Sequence, residues 1–300
     1  MRIYLIRHGE TVHNVAQVWA GSTDSALTNH GMLQIESLGR FFANRSIQFD
    51  HVYSSDLSRA RITAEGICRV QPSMVNGAPL TPVLSPDLRE RDFGSLEGVR
   101  IQRATGTPVE TFPQTVTDRE KVLVGKEKES KESMRKRSLN FLETHLLPLL
   151  LEEEDHCERR VAIVAHGLIL RALWFCLTGF FDPSSISVMP GTAAWNGGPP
   201  ALLSPVWSNT GVMEILISMR PICSSPAPQH SDMDHGPDEA LYQAETPQPD
   251  SKVLPLLQGW SIKIVGVDNT EHLAGLRRTR GGIGSASYDS RQKRIDSFFK

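Results

Sequence analysis

Two apolar, strand-like runs in this chain each end on a histidine followed by glycine. Ile3–Ile6 leads into Arg7-His8-Gly9-Glu10-Thr11, and Val161–Ala165 leads into His166-Gly167. In open α/β sheets, ligands bind beyond the carboxyl ends of the strands. A histidine placed there beside an arginine suits phosphate chemistry. Neutral imidazole attacks phosphorus, while guanidinium neutralises the phosphate oxygens. Gly9 lets the backbone approach an anion closely. The helix that Gly167 opens would turn its first amides toward an anion. Each segment also has an ordinary structural explanation: a solvent-facing strand end for Arg7-His8, a helix-start hydrogen bond for His166. The repetition of one arrangement in a single chain favours function.

Two further segments carry matching chemistry. Ser54-Ser55-Asp56-Leu57-Ser58-Arg59-Ala60 joins a strand to a helix. Arg59 falls in the helix's first turn, where the macrodipole disfavours a cation, and it is placed to be a second phosphate fork. Leu88-Arg89-Glu90-Arg91-Asp92-Phe93-Gly94 offers a carboxylic acid. Breaking a phosphate ester needs a proton for the leaving oxygen, and Glu90 is the candidate donor. A charged loop is the plainer explanation of that run by itself.

The elements that must position these residues alternate. Ile3–Ile6, Phe49–Tyr53, Val161–Ala165, Val212–Ile217 and Ile262–Val267 are strand-like. Leu33, Ile35, Leu38, Phe41 and Phe42 recur at helical spacing after Thr28, a fitting N-cap. Leu57, Ala60, Ala64 and Ile67 mark an amphipathic helix, and Leu168–Leu177 another. Buried strands alternating with helices predict an α/β fold: a three-layer sandwich, with helices on both faces of a mostly parallel central sheet. Lys126–Arg137, dense in mixed charge, reads as a solvated helix face leading into a packed helix that runs to Leu151.

Composition bounds the rest. The 300 residues are 39% hydrophobic before glycine is counted, enough for a sizeable core. Charge is nearly balanced, 32 basic against 34 acidic residues, so no overall field draws the chain to nucleic acid or membrane. Cys68, Cys157, Cys176 and Cys223 lack CxxC spacing, which argues against a zinc site or a disulfide framework. Neither a metal nor another cofactor is expected. The N-terminal apolar run is too short for a signal peptide, and Leu168–Phe181 is interrupted by Arg171 and too short to span a membrane. A cytoplasmic or nuclear protein is expected.

Taken in order, the four segments resemble the histidine phosphatase superfamily, on the branch holding cofactor-dependent phosphoglycerate mutase and fructose-2,6-bisphosphatase. The resemblance rests on Arg7-His8-Gly9-Glu10 with Asn14, on Ser55-x-Leu57-x-Arg59-Ala60, on Leu88-x-Glu90-Arg91-x-Phe93-Gly94 with Glu97-Gly98, and on Val164-x-His166-Gly167. Asn269-x-x-His272-Leu273 is similar to the family's closing motif, so the likeness spans roughly residues 1–275. It implies that His8 is transiently phosphorylated. It implies too that Arg7, Arg59 and His166 hold the phosphoryl group with help from Asn14, and that Glu90 is proton donor and then activates water. A phosphomonoester hydrolase acting on a phosphorylated small molecule is the favoured function. A mutase-type phosphotransferase and a non-catalytic scaffold are the alternatives. Nothing between Val99 and Glu158 matches the mutases in a way that would decide between them.

Two stretches stand outside the catalytic pattern. Pro221–Lys252 has repeated proline and serine, and six acids (Asp232, Asp234, Asp238, Glu239, Glu245, Asp250) against Lys252, which predicts a disordered insertion. Residues 276–300 reverse that charge and predict a flexible basic tail. The tail ends Gln292-Lys293-Arg294-Ile295-Asp296-Ser297-Phe298-Phe299-Lys300. This resembles the Q-x-x-[ILM]-x-x-[FY]-[FY] box that binds the replication sliding clamp, proliferating-cell nuclear antigen. The resemblance implies that Ile295, Phe298 and Phe299 fill an apolar pocket and Gln292 a separate one. The plainer alternative has the two phenylalanines docking on their own domain. No motif for reading nucleic acid directly is present.

Overall fold

The computed structural model describes residues 1–72, 77–101, 126–152, 159–192, 200, 203–219, 257–280, 282–289 and 291. In chain order the main elements are β1 (Arg2–Arg7), α1 (Val12–Ala16), α2 (Asn29–Asn44), β2 (His51–Ser55), α3 (Ser58–Cys68) and β3 (Val83–Ser85). There follow α4 (Lys131–Phe141), a π-helical turn (Leu142–Leu146), α5 (Leu147–Leu151), β4 (Arg160–Ala165) and α6 (Gly167–Thr178). The last strands are β5 (Ile186–Val188), β6 (Val212–Met219) and β7 (Trp260–Asn269).

The strands form one sheet in the order β3-β2-β4-β1-β6-β7-β5. It is mostly parallel, as expected; β6 runs antiparallel to both β1 and β7. Side chains alternate across β1. Tyr4 and Ile6 join Leu38, Phe42, Ala60, Ala64 and Ile67 on the α2–α3 face. Ile3 and Leu5 join Phe141, Leu146, Leu150, Leu173 and Trp174 on the opposite face. With both faces covered, β1 and β4 are central strands and tolerate apolar residues at every inner position. In β4, Val161–Ala165 is fully buried.

Thr28 is the N-cap of α2, its side chain accepting from the Gly31 amide at 2.9 Å. The charged stretch before α4 departs from expectation. The helix starts at Lys131 under the Ser130 cap, and Lys126 and Glu129 instead bond the 92–95 loop through their backbones. The basic tail also differs in its first part. Asn29 N donates to Ala286 O (3.0 Å), and Tyr288 N donates to Leu27 O (2.8 Å). Arg278 pairs with Glu10. Backbone groups left open beside the α2 N-terminus, together with the Glu10 charge, give this segment partners that composition does not reveal. Pro221–Lys252, where disorder is expected, and Gln292–Lys300, where clamp binding is expected, lie outside the described residues. Among the described residues, no helix is long and apolar enough to cross a membrane.

His272, just after β7, is packed edge-on to Phe41 and its Nε2 lies 2.9 Å from Thr210 Oγ1. Burial lowers its pKa to about 4. A neutral native histidine means that the unfolded chain takes up the proton first. The stability this site contributes is therefore full above about pH 6.5 and is lost as pH falls toward 4. Replacing His272 with Gln removes that titration. The melting temperature of the variant is expected to fall less steeply than wild type between pH 6.5 and 4, and equal slopes by calorimetry would refute it.

Candidate active site

His8 is the first residue past β1, and His166 the first past β4. The two strands are parallel neighbours with Arg7 opposite Ala165, so register alone brings both histidines to one sheet edge. The His8 amide donates to Ala165 O at 3.0 Å. The rings lie 5.0 Å apart between centroids.

Hydrogen bonds settle which nitrogen of each ring carries its proton. His8 Nδ1 is 2.7 Å from Gly9 O. A carbonyl only accepts, so Nδ1 donates and Nε2 presents its lone pair. Arg59 Nε donates to His166 Nδ1 at 3.2 Å. A guanidinium has no acceptor, so the His166 proton sits on Nε2. That nitrogen is buried and has no hydrogen-bond partner among the described residues. Burial, followed by the positive charges of Arg59 and Arg7, holds the His8 pKa well below the ordinary histidine value. The same causes, with His8 itself, act on His166. Both imidazoles are neutral at pH 7.

Arg59, in the first turn of α3, is only 1% exposed. Its guanidinium donates to Gly21 O (2.6 Å) and Thr23 O (2.9 Å) as well as to His166. Of its five N–H groups two remain for a ligand. Arg7 donates to Trp207 O at 2.9 Å, and its buried Nε is without a partner among the described residues. An unsatisfied buried donor costs roughly 1–3 kcal/mol. Arg7 and His166 each leave one beside a nucleophilic imidazole. A group with several anionic oxygens would satisfy them together.

Glu90 approaches from the opposite side of the chain's topology. Its carboxylate accepts from Leu168 N and Ile169 N, both at 3.2 Å, and from Arg91 N at 2.9 Å. The amides of the second and third residues of α6 therefore hold Glu90. Glu90 acts electrostatically on both Arg7 and Arg59, which places it at the same pocket. Asn14 uses its Oδ1 to accept from Thr11 N (3.1 Å) and Asn209 Nδ2 (3.1 Å), which ties it to the loop carrying His8.

Comparison with known proteins agrees with this geometry. The model of the histidine phosphatase superfamily, branch 1, matches residues 3–195. The chain belongs to the histidine phosphatase superfamily. A probable phosphatase of Schizosaccharomyces pombe is 28% identical over 98% of this chain and 78% of its own length. A broad-specificity phosphatase of Saccharomyces cerevisiae is 36% identical over 35% of this chain and 44% of its own. A 2,3-bisphosphoglycerate-dependent phosphoglycerate mutase of Rhizobium etli is 31% identical over 57% and 77%. A mycobacterial glucosyl-3-phosphoglycerate phosphatase of known structure is 22% identical over 72% of this chain and 91% of its own, with a TM-score of 0.49.

This histidine phosphatase has site residues that its sequence motifs do not single out. Asn209 Nδ2 also donates to His8 O at 3.1 Å. Thr210, at φ +58°, points its amide at the Arg7 and His8 carbonyls, 3.1 and 3.2 Å away. Trp207 receives Arg7 and donates its indole N–H to Leu5 O at 3.1 Å. Thr63 accepts from Gly9 N (3.0 Å) and donates to Arg59 O (2.7 Å), linking the segments that carry His8 and Arg59. The one sequence signal for this group is Asn209-Thr210-Gly211 immediately before β6.

Long-range proton–nitrogen NMR tests the assigned tautomers directly. His8 is expected as the Nδ1–H form and His166 as the Nε2–H form, with neither signal titrating between pH 8 and 6.5. A midpoint near 6.5 for either ring would contradict the geometry.

Proposed function

We propose that this protein is a phosphomonoesterase working through a phosphohistidine on His8. The observation that carries it is the free Nε2 of a neutral, buried His8 next to unsatisfied donors on Arg7 and His166. His8 Nε2 forms the nitrogen–phosphorus bond as the phosphorus–oxygen bond of the ester breaks. Glu90, protonated, gives its proton to the leaving oxygen. Water then attacks phosphorus, Glu90 takes the water's proton, and the bonding pair returns to Nε2. Arg7, Arg59 and His166 offset the charge on the phosphoryl oxygens, with Asn14 assisting. A loose phosphoryl transition state asks mainly for such alignment and charge stabilisation.

Hydrolysis is favoured over phosphoryl transfer between positions of a sugar acid. The relative named a probable phosphatase aligns over 98% of this chain, whereas the named mutase aligns over 57%. The substrate is a phosphorylated small molecule. Purified protein is expected to hydrolyse an aryl phosphate without added metal, and His8→Ala to lower kcat at least a thousandfold. Quenching in alkaline denaturant should trap a base-stable, acid-labile phosphoenzyme in wild type alone. Undiminished turnover by His8→Ala would overturn the mechanism. Faster interconversion of 2- and 3-phosphoglycerate than hydrolysis would move the assignment to the mutase. Absence of turnover on a broad panel of phosphate esters would favour the scaffold.

A second element of the reading is recruitment. Gln292, Ile295, Phe298 and Phe299 reproduce the sliding-clamp box at the end of a basic segment. The protein accordingly works in the nucleus as well as the cytoplasm. A chain ending at Arg291 is expected to lose binding to purified proliferating-cell nuclear antigen while keeping kcat/KM within about twofold. Unchanged affinity of the shortened chain would remove this element and leave the enzyme intact.

A further inference from the structure

Arg59 is aimed by two backbone carbonyls, and both belong to a loop that has little to hold it in place by itself. Gly21 through Asp24 contains no helix or strand. One side chain gathers it. Glu97 Oε1 accepts from Ser22 N (2.7 Å), Ser22 Oγ (3.0 Å) and Phe93 N (3.1 Å). Glu97 Oε2 accepts from Thr23 N (2.9 Å) and from Thr23 Oγ1. Bonds to an ionised acceptor are roughly twice as strong as neutral ones. A Cβ added at Gly21, which has φ +56°, would lie 2.0 Å from Glu97 Oε1, so only glycine admits the carboxylate there.

The same loop reaches α3 by a second route. The helix's own cap residue, Leu57, offers no side-chain bond. Asp24 Oδ1 supplies it, accepting from Ser58 N and Ser58 Oγ, both at 2.9 Å. Asp24 also lies 3.8 Å from the Arg59 guanidinium. Behind the loop, Trp19 packs on Phe93 with ring centroids 4.3 Å apart, and Gly98 N donates to Trp19 O at 2.8 Å. The segment that carries Glu90 is thus fastened to the segment that orients Arg59, and Glu97 is the charged group at the junction.

We propose that Glu97 is a positioning residue for the phosphate site: its carboxylate fixes the Gly21 and Thr23 carbonyls that aim the Arg59 guanidinium. Glu97 does not touch the phosphoryl group. Its effect on phosphate affinity travels through Arg59. The proposal rests on the reading of Arg59 as a phosphate ligand, and the test separates the two.

The probe is inorganic phosphate, titrated into the full chain and followed by phosphorus NMR. Four proteins are compared: wild type, Glu97→Ala, Arg59→Met and the double variant. Glu97→Ala is expected to weaken phosphate binding about tenfold in wild type and less than twofold in the Arg59→Met background, because the residue has lost the group through which it acts. Glu97→Asp should recover part of the affinity. A purely structural role for Glu97 would weaken binding equally in both backgrounds, and that result overturns the proposal. So does wild-type affinity in Glu97→Ala. If Glu97→Ala does not melt cooperatively, Glu97→Gln, of the same shape but with one carbonyl acceptor, is read by the same criteria. Wild type without measurable phosphate binding would sink the phosphate-site reading itself, and this proposal with it.

Discussion

The pocket is organised around a guanidinium that has been taken out of water. Burying an ionised group costs several kcal/mol unless its donors are matched. Arg59 meets that demand with two carbonyls and an imidazole nitrogen, with Asp24 3.8 Å away. Each partner is thereby fixed in turn. The imidazole must be His166 in one tautomer. The carbonyls require the 21–24 loop in one conformation. The α3 backbone must bring Arg59 up at the first turn, where Thr63 ties its carbonyl to the amide of Gly9. Removing this cation would release the tautomer, the loop and the link to the nucleophile's own segment together.

A sheet register supplies the other half of the arrangement. β1 and β4 are far apart in sequence yet adjacent and parallel in the sheet. Parallel neighbours present their carboxyl ends on the same side, so two strand–His–Gly segments converge without any special loop. β6, antiparallel to β1, brings residues 207–211 to that same edge from the opposite direction. This is why Asn209, Thr210 and Gly211 can grip the backbone of Arg7 and His8, while Trp207 holds the Arg7 side chain and the Leu5 carbonyl. The reactive side chains come from the parallel half of the sheet, and the backbone clamp from the antiparallel half.

What was legible in the sequence follows from this division. Arg7, His8, Arg59 and His166 follow apolar strands at short, recognisable distances, so type and position together exposed them. The α/β sandwich was legible for a related reason: β1 and β4 are buried on both sides and carry unbroken apolar runs. Asn209, Thr210 and Thr63 were not legible, because their part is played by single hydrogen bonds to distant backbone atoms. A lone Asn or Thr carries no periodicity. The start of α4 was misjudged because charge density alone does not locate a helix cap; Ser130 does. The hold on Glu90 was not legible either, because the Leu168 and Ile169 amides that bind it lie remote from it in sequence.

Charge arithmetic within the pocket narrows the chemistry further. Two guanidiniums stand close to two imidazoles, and each cation disfavours a proton on either ring. A resting site with four positive groups would be severely self-repelling in a low-dielectric interior. Neutral imidazoles are the state in which the pocket can exist empty. That state also leaves a lone pair on His8 Nε2 and a proton on His166 Nε2. A bound phosphate dianion would meet the two fixed positive charges of Arg7 and Arg59, with the Asp24 carboxylate 3.8 Å from Arg59 limiting the excess. The electrostatic condition for folding this pocket is therefore also the condition that keeps a lone pair on His8, met by desolvating that ring beside cations that cannot give up their protons.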